Sequence, residues 1–205
     1  TGRGAPKNDD EAAKWFLLAA KQGHAESQSN IGLMYGRGRG VPQSDEEAVK
    51  WYRLAAEQGD VDGLFNLAVM YDDGRGVVEN PEEAVRLYRL AVAQNHVSSQ
   101  SNLGYMYDHG RGVAQDSKEA FKWYMIAAEQ GDANSQFNVG SMYALGRGVG
   151  QSWPQAYFWA LLAEASQPVQ ETQEMRQAIA SQMDDKQRKA AENRAKKWQP
   201  KDMPM

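Results

Sequence analysis

The sequence predicts an all-α chain, a solenoid of two-helix repeats, and three observations carry that reading. The tetrapeptide GRGV recurs at Gly38–Val41, Gly74–Val77, Gly110–Val113 and Gly146–Val149, a spacing of 36 residues, with GRGA at Gly2–Ala5. Ala12, Ala48, Ala84, Ala120 and Ala156 keep the same phase, as do Tyr35, Tyr71, Tyr107 and Tyr143. No strand pattern occurs anywhere along the chain. Self-similarity at a period of roughly 20–50 residues marks a solenoid, whose units bury their apolar faces only against their neighbours.

Each unit contributes two helices. After every GRG loop a polar residue is followed three positions later by Glu or Gln: Asn8/Glu11, Ser44/Glu47, Asn80/Glu83, Asp116/Glu119 and Ser152/Gln155. This spacing predicts a capping box at a helix start. Pro81 falls at the first helical position, where its missing N–H costs nothing. Ala48, Trp51, Tyr52, Ala55 and Ala56 then form an apolar stripe at helical spacing. The helix stops at Gly23, Gly59, Asn95 or Gly131, residues suited to a left-handed position.

A second, shorter helix is expected from about Ala25 to Gly36 and at the equivalent positions. Its repeated apolar residues are Ile31/Leu67/Leu103/Val139, with Met34/Met70/Met106/Met142 as further packing. Gly32/Ala68/Gly104/Gly140 keep one position small, which lets a neighbouring helix approach. The GRGV loop at the end of this helix reads as a corner. Its glycines supply backbone angles that β-carbons resist, and Val41, Val77, Val113 and Val149 plug the core. A phosphate-binding glycine loop should follow a strand, and no strand is indicated.

The ends divide the chain further. Residues 1–167 form the array, 168–199 a degenerate capping pair of helices (Val169–Met183 and Asp185–Trp198), and 200–205 a tail. "TGRGAPKND" matches the close of a preceding repeat, so the array opens in mid-repeat. No leader is visible, and both a periplasmic or secreted and a cytoplasmic location stay open. The net charge of −4 argues against general polyanion binding, and the absence of Cys removes disulfides, thiolate metal sites and cysteine nucleophiles. The longest apolar run, Tyr157 to Ala163, is far short of the ~18 residues of a membrane span.

The pattern A-x-x-x-N-[LIV]-[GA]-x-M-Y-x-x-G-R-G-V, followed by E-A-x-K-W-Y-x-x-A-A-E-Q-G, resembles the Sel-1-like repeats, relatives of the tetratricopeptide repeats. The resemblance covers about residues 1–167. It implies a right-handed superhelix, bacterial adaptors and scaffolds as relatives, and an occasional link to hydrolase activity. This chain departs from the members that carry a disulfide in each repeat. By analogy with tetratricopeptide repeats, the second helix of each unit would line the concave face and the capped helix the convex side.

The residues single out the second helix on their own account. Glu26/Asp62/Ser98/Asn134, Ser29/Phe65/Ser101/Phe137, Leu33/Val69/Tyr105/Ser141 and Gly36/Asp72/Asp108/Ala144 differ between repeats and fall on one helical stripe. Such a stripe is either solvated or a reading surface. Phe65, Tyr105 and Phe137 favour reading, since aromatics dominate interface hot spots, while Phe65 and Phe137 could instead fill gaps between repeats. Asn30, Asn66, Asn102 and Asn138 recur inside the same helix, where Asn is a mediocre residue. In related superhelices an asparagine ladder bonds an extended peptide's backbone; the alternative is a bond to the adjacent repeat's backbone. The candidate partner-binding residues are therefore these four asparagines with Phe65, Tyr105, Phe137, Leu33, Asp72 and Asp108.

Other features read as architecture. Arg39, Arg75, Arg111 and Arg147 are expected to pair with acids such as Glu47, Glu83 and Glu119, or to stack on a Tyr. His24 and His96 occupy helix entries, and His109 a loop rim. No recurring nucleophile–base pair, metal-ligand cluster or cofactor motif is present, so catalytic, metal and cofactor sites are all assigned as none. The terminal cations Lys186, Arg188, Lys189, Arg194, Lys196 and Lys197 fit a solvated capping helix with Trp198 folded back. The expectation is a non-catalytic scaffold, a monomer in isolation, that binds a protein or extended peptide and neither binds nucleic acid nor inserts into a membrane. The alternative is a structural tether in a larger, cell-envelope assembly, acting through its ends or convex face; a hydrolase is third.

Overall fold

The computed structural model describes residues 8–201, which hold eleven α-helices and no strand. The helices are α1 (Asp9–Lys21), α2 (Ala25–Arg37), α3 (Asp45–Glu57), α4 (Val61–Asp73), α5 (Pro81–Val92), α6 (Val97–His109), α7 (Ser117–Glu129), α8 (Ala133–Leu145), α9 (Trp153–Ser166), α10 (Gln170–Ala180) and α11 (Asp185–Ala195). The GRGA segment at 2–5 lies outside the described residues. The chain divides into two compact units, 1–94 and 95–205.

In the first unit each helix packs on the one before it, and α2 also touches α4. The small residue inside the second helix works by contact with an aromatic ring. A β-carbon on Gly32 would lie 2.8 Å from the Tyr52 ring, so α2 and α3 approach at a distance only glycine permits. Ile31 and Met34 complete this core with Ala13 and Ala20, and Val41 plugs it from the loop.

The second unit repeats the arrangement, with Gly104 against the Tyr124 ring at 2.7 Å. It then closes differently. Helix α9 is apolar nearly all round, and Tyr157, Phe158, Trp159, Ala160, Leu162 and Ala163 are all buried, because α8, α10 and α11 pack against it. Trp198 folds back as expected, meeting Trp159 edge-on with ring centroids 6.4 Å apart. No described helix is long and apolar enough to cross a membrane.

Two sequence expectations need correction. The second helix of each repeat is not shorter: α2, α4, α6 and α8 have 13 residues, the same as α1, α3 and α7. Each runs on to the left-handed glycine of its loop, Gly38 at φ 63° being the first. The capping boxes at the repeat starts are also only half formed. Asn8, Ser44, Asn80 and Asp116 accept the amide three residues on, but Ser152 makes no side-chain cap bond. Instead of reaching back, Glu47, Glu83 and Glu119 pair forward with Lys50, Arg86 and Lys122. The one reciprocal box among the described residues joins Asp184 and Gln187, at α11.

Candidate interaction surface

Two of the asparagines of the second helices, Asn30 and Asn66, are anchored to their own helix. Asn30 Nδ2 donates to the Glu26 carbonyl at 2.9 Å and Asn66 Nδ2 to the Asp62 carbonyl at 2.8 Å. Each bond runs four residues back along the turn, so both carboxamides are held in the same pose, half-buried, with an acceptor oxygen left over. Asn102 and Asn138 are likewise half-buried on α6 and α8.

The residues around them differ in how much they present. Leu33 and Asp72 are half-buried. Phe65 is half-buried too, tilted against the buried Tyr88 ring at 6.1 Å, so part of it serves packing inside the first unit. Phe137 is half-buried on α8. Tyr105 is 43% exposed and stacks on His109, one turn on, with ring centroids 4.1 Å apart. Asp108 is corrected by its surroundings: only 5% exposed, it accepts from Arg147 at 2.9 Å and lies beneath the surface.

The loop arginines do pair with acids, but not with those the repeat suggested. Arg39 binds Asp9 through both Nε and a terminal nitrogen, at 3.3 and 3.0 Å, and Arg75 binds Asp45 in the same way at 3.2 and 2.7 Å. Both acids open the helix that precedes the loop's own second helix, so each arginine spans a hairpin from its closing loop to its start. The glycine beside it is needed there twice over. Gly40, at φ 70°, sits where a β-carbon would fall 2.0 Å from the Asp9 carbonyl oxygen. The loop is therefore filled from below by a helix start, which leaves no cradle for a phosphate.

A set of buried glutamines escaped the sequence reading. Gln28 donates to the Ala20 carbonyl at 3.1 Å and accepts from Gln58 at 2.7 Å. In the second unit Gln130 donates to Gln100 at 2.6 Å, while Gln136 donates to the Ala128 carbonyl and accepts from Ser166. Each is a clasp joining the first turn of a second helix to the far end of at least one capped helix beside it. The signal was available: Gln28, Gln100 and Gln136 share one phase, and Gln58, Gln94 and Gln130 another.

His96 accepts from the Ser99 amide as a helix entry, and His24 stands at the equivalent place without a side-chain cap bond. Among the described residues no three metal-ligating side chains cluster. Burial pushes the Tyr52 hydroxyl up to about 12, and Tyr124 is pushed up by burial and then by the nearby Asp108 carboxylate. Hydrogen bonds from Arg86 hold the Glu83 carboxyl below its ordinary range.

Against known families, the model of the Sel1 repeat matches residues 1–24, 25–60, 61–96, 97–132 and 133–166. The chain belongs to the Sel1 repeat family. Its fold class is the all-α solenoid of two-helix repeats, and the family unit starts at the second helix, pairing α2 with α3, α4 with α5, α6 with α7 and α8 with α9. A Sel1 repeat protein from Oxalobacter formigenes shares 34% identity at a TM-score of 0.75, over 85% of this chain and 50% of its own. The protective antigen c5321 of uropathogenic Escherichia coli, described as having the SLR fold, shares 25% identity at a TM-score of 0.56, over 95% of this chain and 57% of its own. The immunity protein Pa5087 of Pseudomonas aeruginosa, at 18% identity and a TM-score of 0.56 over 94% and 75%, is similar in fold. This chain thus spans about half the length of the first two. Comparison with curated proteins gave no match. Sel1 repeats generally mediate protein interactions, and their fold is typically a non-catalytic scaffold.

Proposed function

We propose that this Sel1 repeat chain is a non-enzymatic scaffold that holds a protein or extended peptide on the variable stripe of its second helices. The observation that carries the reading is the identical anchoring of Asn30 and Asn66. Two carboxamides fixed in one pose by their own helices offer repeated backbone-directed hydrogen bonding without side-chain selectivity. Leu33, Phe65 and Val69, all half-buried beside them, offer apolar contact in the first unit. In the second unit Tyr105 and Phe137 have that role, with Asn102 and Asn138. Asp72 adds charge at the stripe's end, whereas Asp108 belongs to the interior.

The test is affinity capture from the native extract, comparing wild type with Asn66→Ala/Asn102→Ala/Tyr105→Ala. Phe65 is left intact because it packs on Tyr88. Both proteins are checked for helicity by circular dichroism. A partner held by wild type and lost by the folded variant supports the reading; a partner held equally by both sinks it.

A second reading, a tether acting through the C-terminal end, has its own observation. On α11 and just beyond it, Lys186, Lys189, Lys196 and Lys197 are exposed and fall within an arc of roughly 100°. The arginines there are used internally: Arg188 donates to the Ala180 carbonyl, and Arg194 lies 3.8 Å over the Phe158 ring. A tether would lose its assembly when the four lysines become Gln, with the asparagines intact.

A further inference from the structure

The glutamine clasp is missing once. At the phase of Gln28, Gln100 and Gln136 the chain has Leu64, and its expected partner Gln94 turns to the Gly59 carbonyl at 3.0 Å. At this same seam, between α3 and α5, a cleft of about 320 Å³ opens over α4, lined by Ala56, Leu64 and Leu67, with Leu87 and Leu90 on its far wall. The floor is apolar and Leu90 stands 44% exposed beside it.

The rim is charged in a specific way. Arg86 is spent on Glu83, which takes it with both oxygens at 2.7 and 2.8 Å. Arg53 donates only to the Tyr71 hydroxyl, at 3.1 Å, and has no carboxylate partner among the described residues. Glu57 lines the cleft one turn along α3 from Arg53 and forms no ion pair with it. Their order, base before acid at i, i+4, is the less favourable one for pairing along a helix. The cleft therefore offers a cation and an anion, neither held in an ion pair among the described residues, above an apolar floor.

We infer that this cleft is a second docking site, separate from the stripe of the second helices, and that its occupant is a short peptide segment carrying an apolar side chain between an acidic and a basic residue. The apolar side chain enters over Leu64 and Leu67. The acidic neighbour meets Arg53 and the basic one meets Glu57. Where the clasp exists, at Gln28–Gln58 and Gln100–Gln130, two carboxamides occupy the equivalent seam.

The test titrates the full chain with fluorescein-labelled hexapeptides centred on Glu-Phe-Lys and Lys-Phe-Glu, with Gln-Phe-Gln and Glu-Ala-Lys as controls, read by anisotropy. The tighter of the first two should bind at least tenfold more strongly than either control. Leu64→Gln, which rebuilds the clasp with Gln94, should reduce that binding at least tenfold. Should Leu64→Gln fail to fold, Arg53→Gln/Glu57→Gln provides the second arm and should make the charged and uncharged phenylalanine peptides equal. Asn66→Ala/Asn102→Ala/Tyr105→Ala should leave the titration unchanged. Equal binding of all four peptides, undiminished binding by Leu64→Gln, or a charge preference that survives the Arg53/Glu57 pair of substitutions would each overturn the inference. So would a dimer in sedimentation that Leu64→Gln abolishes, since the occupant would then be a second copy of this chain.

Discussion

Gly40 packs on the backbone of Asp9 so closely that a β-carbon would lie 2.0 Å from its carbonyl oxygen and 2.9 Å from the next amide nitrogen. Gly148 repeats the contact on Ser117 at 2.0 Å, and Gly76 on Asp45 at 2.4 Å. The loop glycine thus answers two demands, a left-handed backbone and the absence of a side chain, and the two can be separated.

Gly59 also has a positive φ, 80°, but nothing lies within 4 Å of its added β-carbon. Gly59→Ala should therefore cost only the left-handed penalty, on the order of 1 kcal/mol. Gly40→Ala adds a clash with fixed backbone and should cost at least about 3 kcal/mol. Urea denaturation followed at 222 nm measures both; equal losses would show that the close approach is irrelevant.

Arg147 keeps a buried charge company. Asp108 is 5% exposed, and its Oδ1 has no hydrogen-bond partner among the described atoms. Arg147→Ala should destabilise by about 3 kcal/mol, the scale for an abandoned buried charge. Arg39→Ala, whose partner Asp9 is 34% exposed, should cost under about 1 kcal/mol. Adding Asp108→Asn to Arg147→Ala should recover most of the loss in the same denaturation experiment.

Alkali should loosen the fold through its tyrosines. Burial raises Tyr52 to about 12, above the unfolded value of about 10. The folded state then keeps a proton that the unfolded state gives up. Its stabilisation is fully present below about pH 10 and is lost as pH rises through about 12, approaching 2–3 kcal/mol for this one residue. Tyr52→Phe, which copies Phe16 at the equivalent position of α1, should flatten that limb between pH 10 and 12. An unchanged slope would count against the assignment.

Gln136 is fully buried and bonded at both ends of its carboxamide. Gln136→Leu, the residue the chain itself uses at 64, should cost about 1–2 kcal/mol through the lost bonds. Hydrogen exchange should localise the loss to the first turn of α8 and the end of α9. A uniform decrease across the second unit would contradict a local clasp.

The sequence discloses what repetition preserves. Ala48, Tyr52, Ile31 and Met34 meet the same neighbours in each unit, so their phase was visible and their burial comes with it. The half-formed caps were less legible, because the spacing of Ser44 and Glu47 fits both a reciprocal box and an outward pair with Lys50. The partners of Arg39 and Arg75 were missed because they lie 30 residues back, at the start of another helix, where no local pattern points. Asp108 shares a stripe with the half-buried Leu33 and Asp72, and its burial was not legible because its partner Arg147 lies 39 positions on. The glutamines were periodic too, but their partners are other glutamines about 30 positions on, which no local spacing reveals.

The grip of Arg39 on Asp9 and of Arg75 on Asp45 has a bearing on how such a chain can change over generations. Each of these two corners fastens onto the hairpin it has just closed and asks nothing of the next repeat, whereas Arg147 reaches back to Asp108 on α6. A block of 36 residues inserted or lost in phase would carry its fastening with it and leave the junctions on both sides alike. Where the corners are of this kind, length is then a quantity that duplication can alter in whole steps, and the surface offered to a partner can grow or shrink while those joints stay the same.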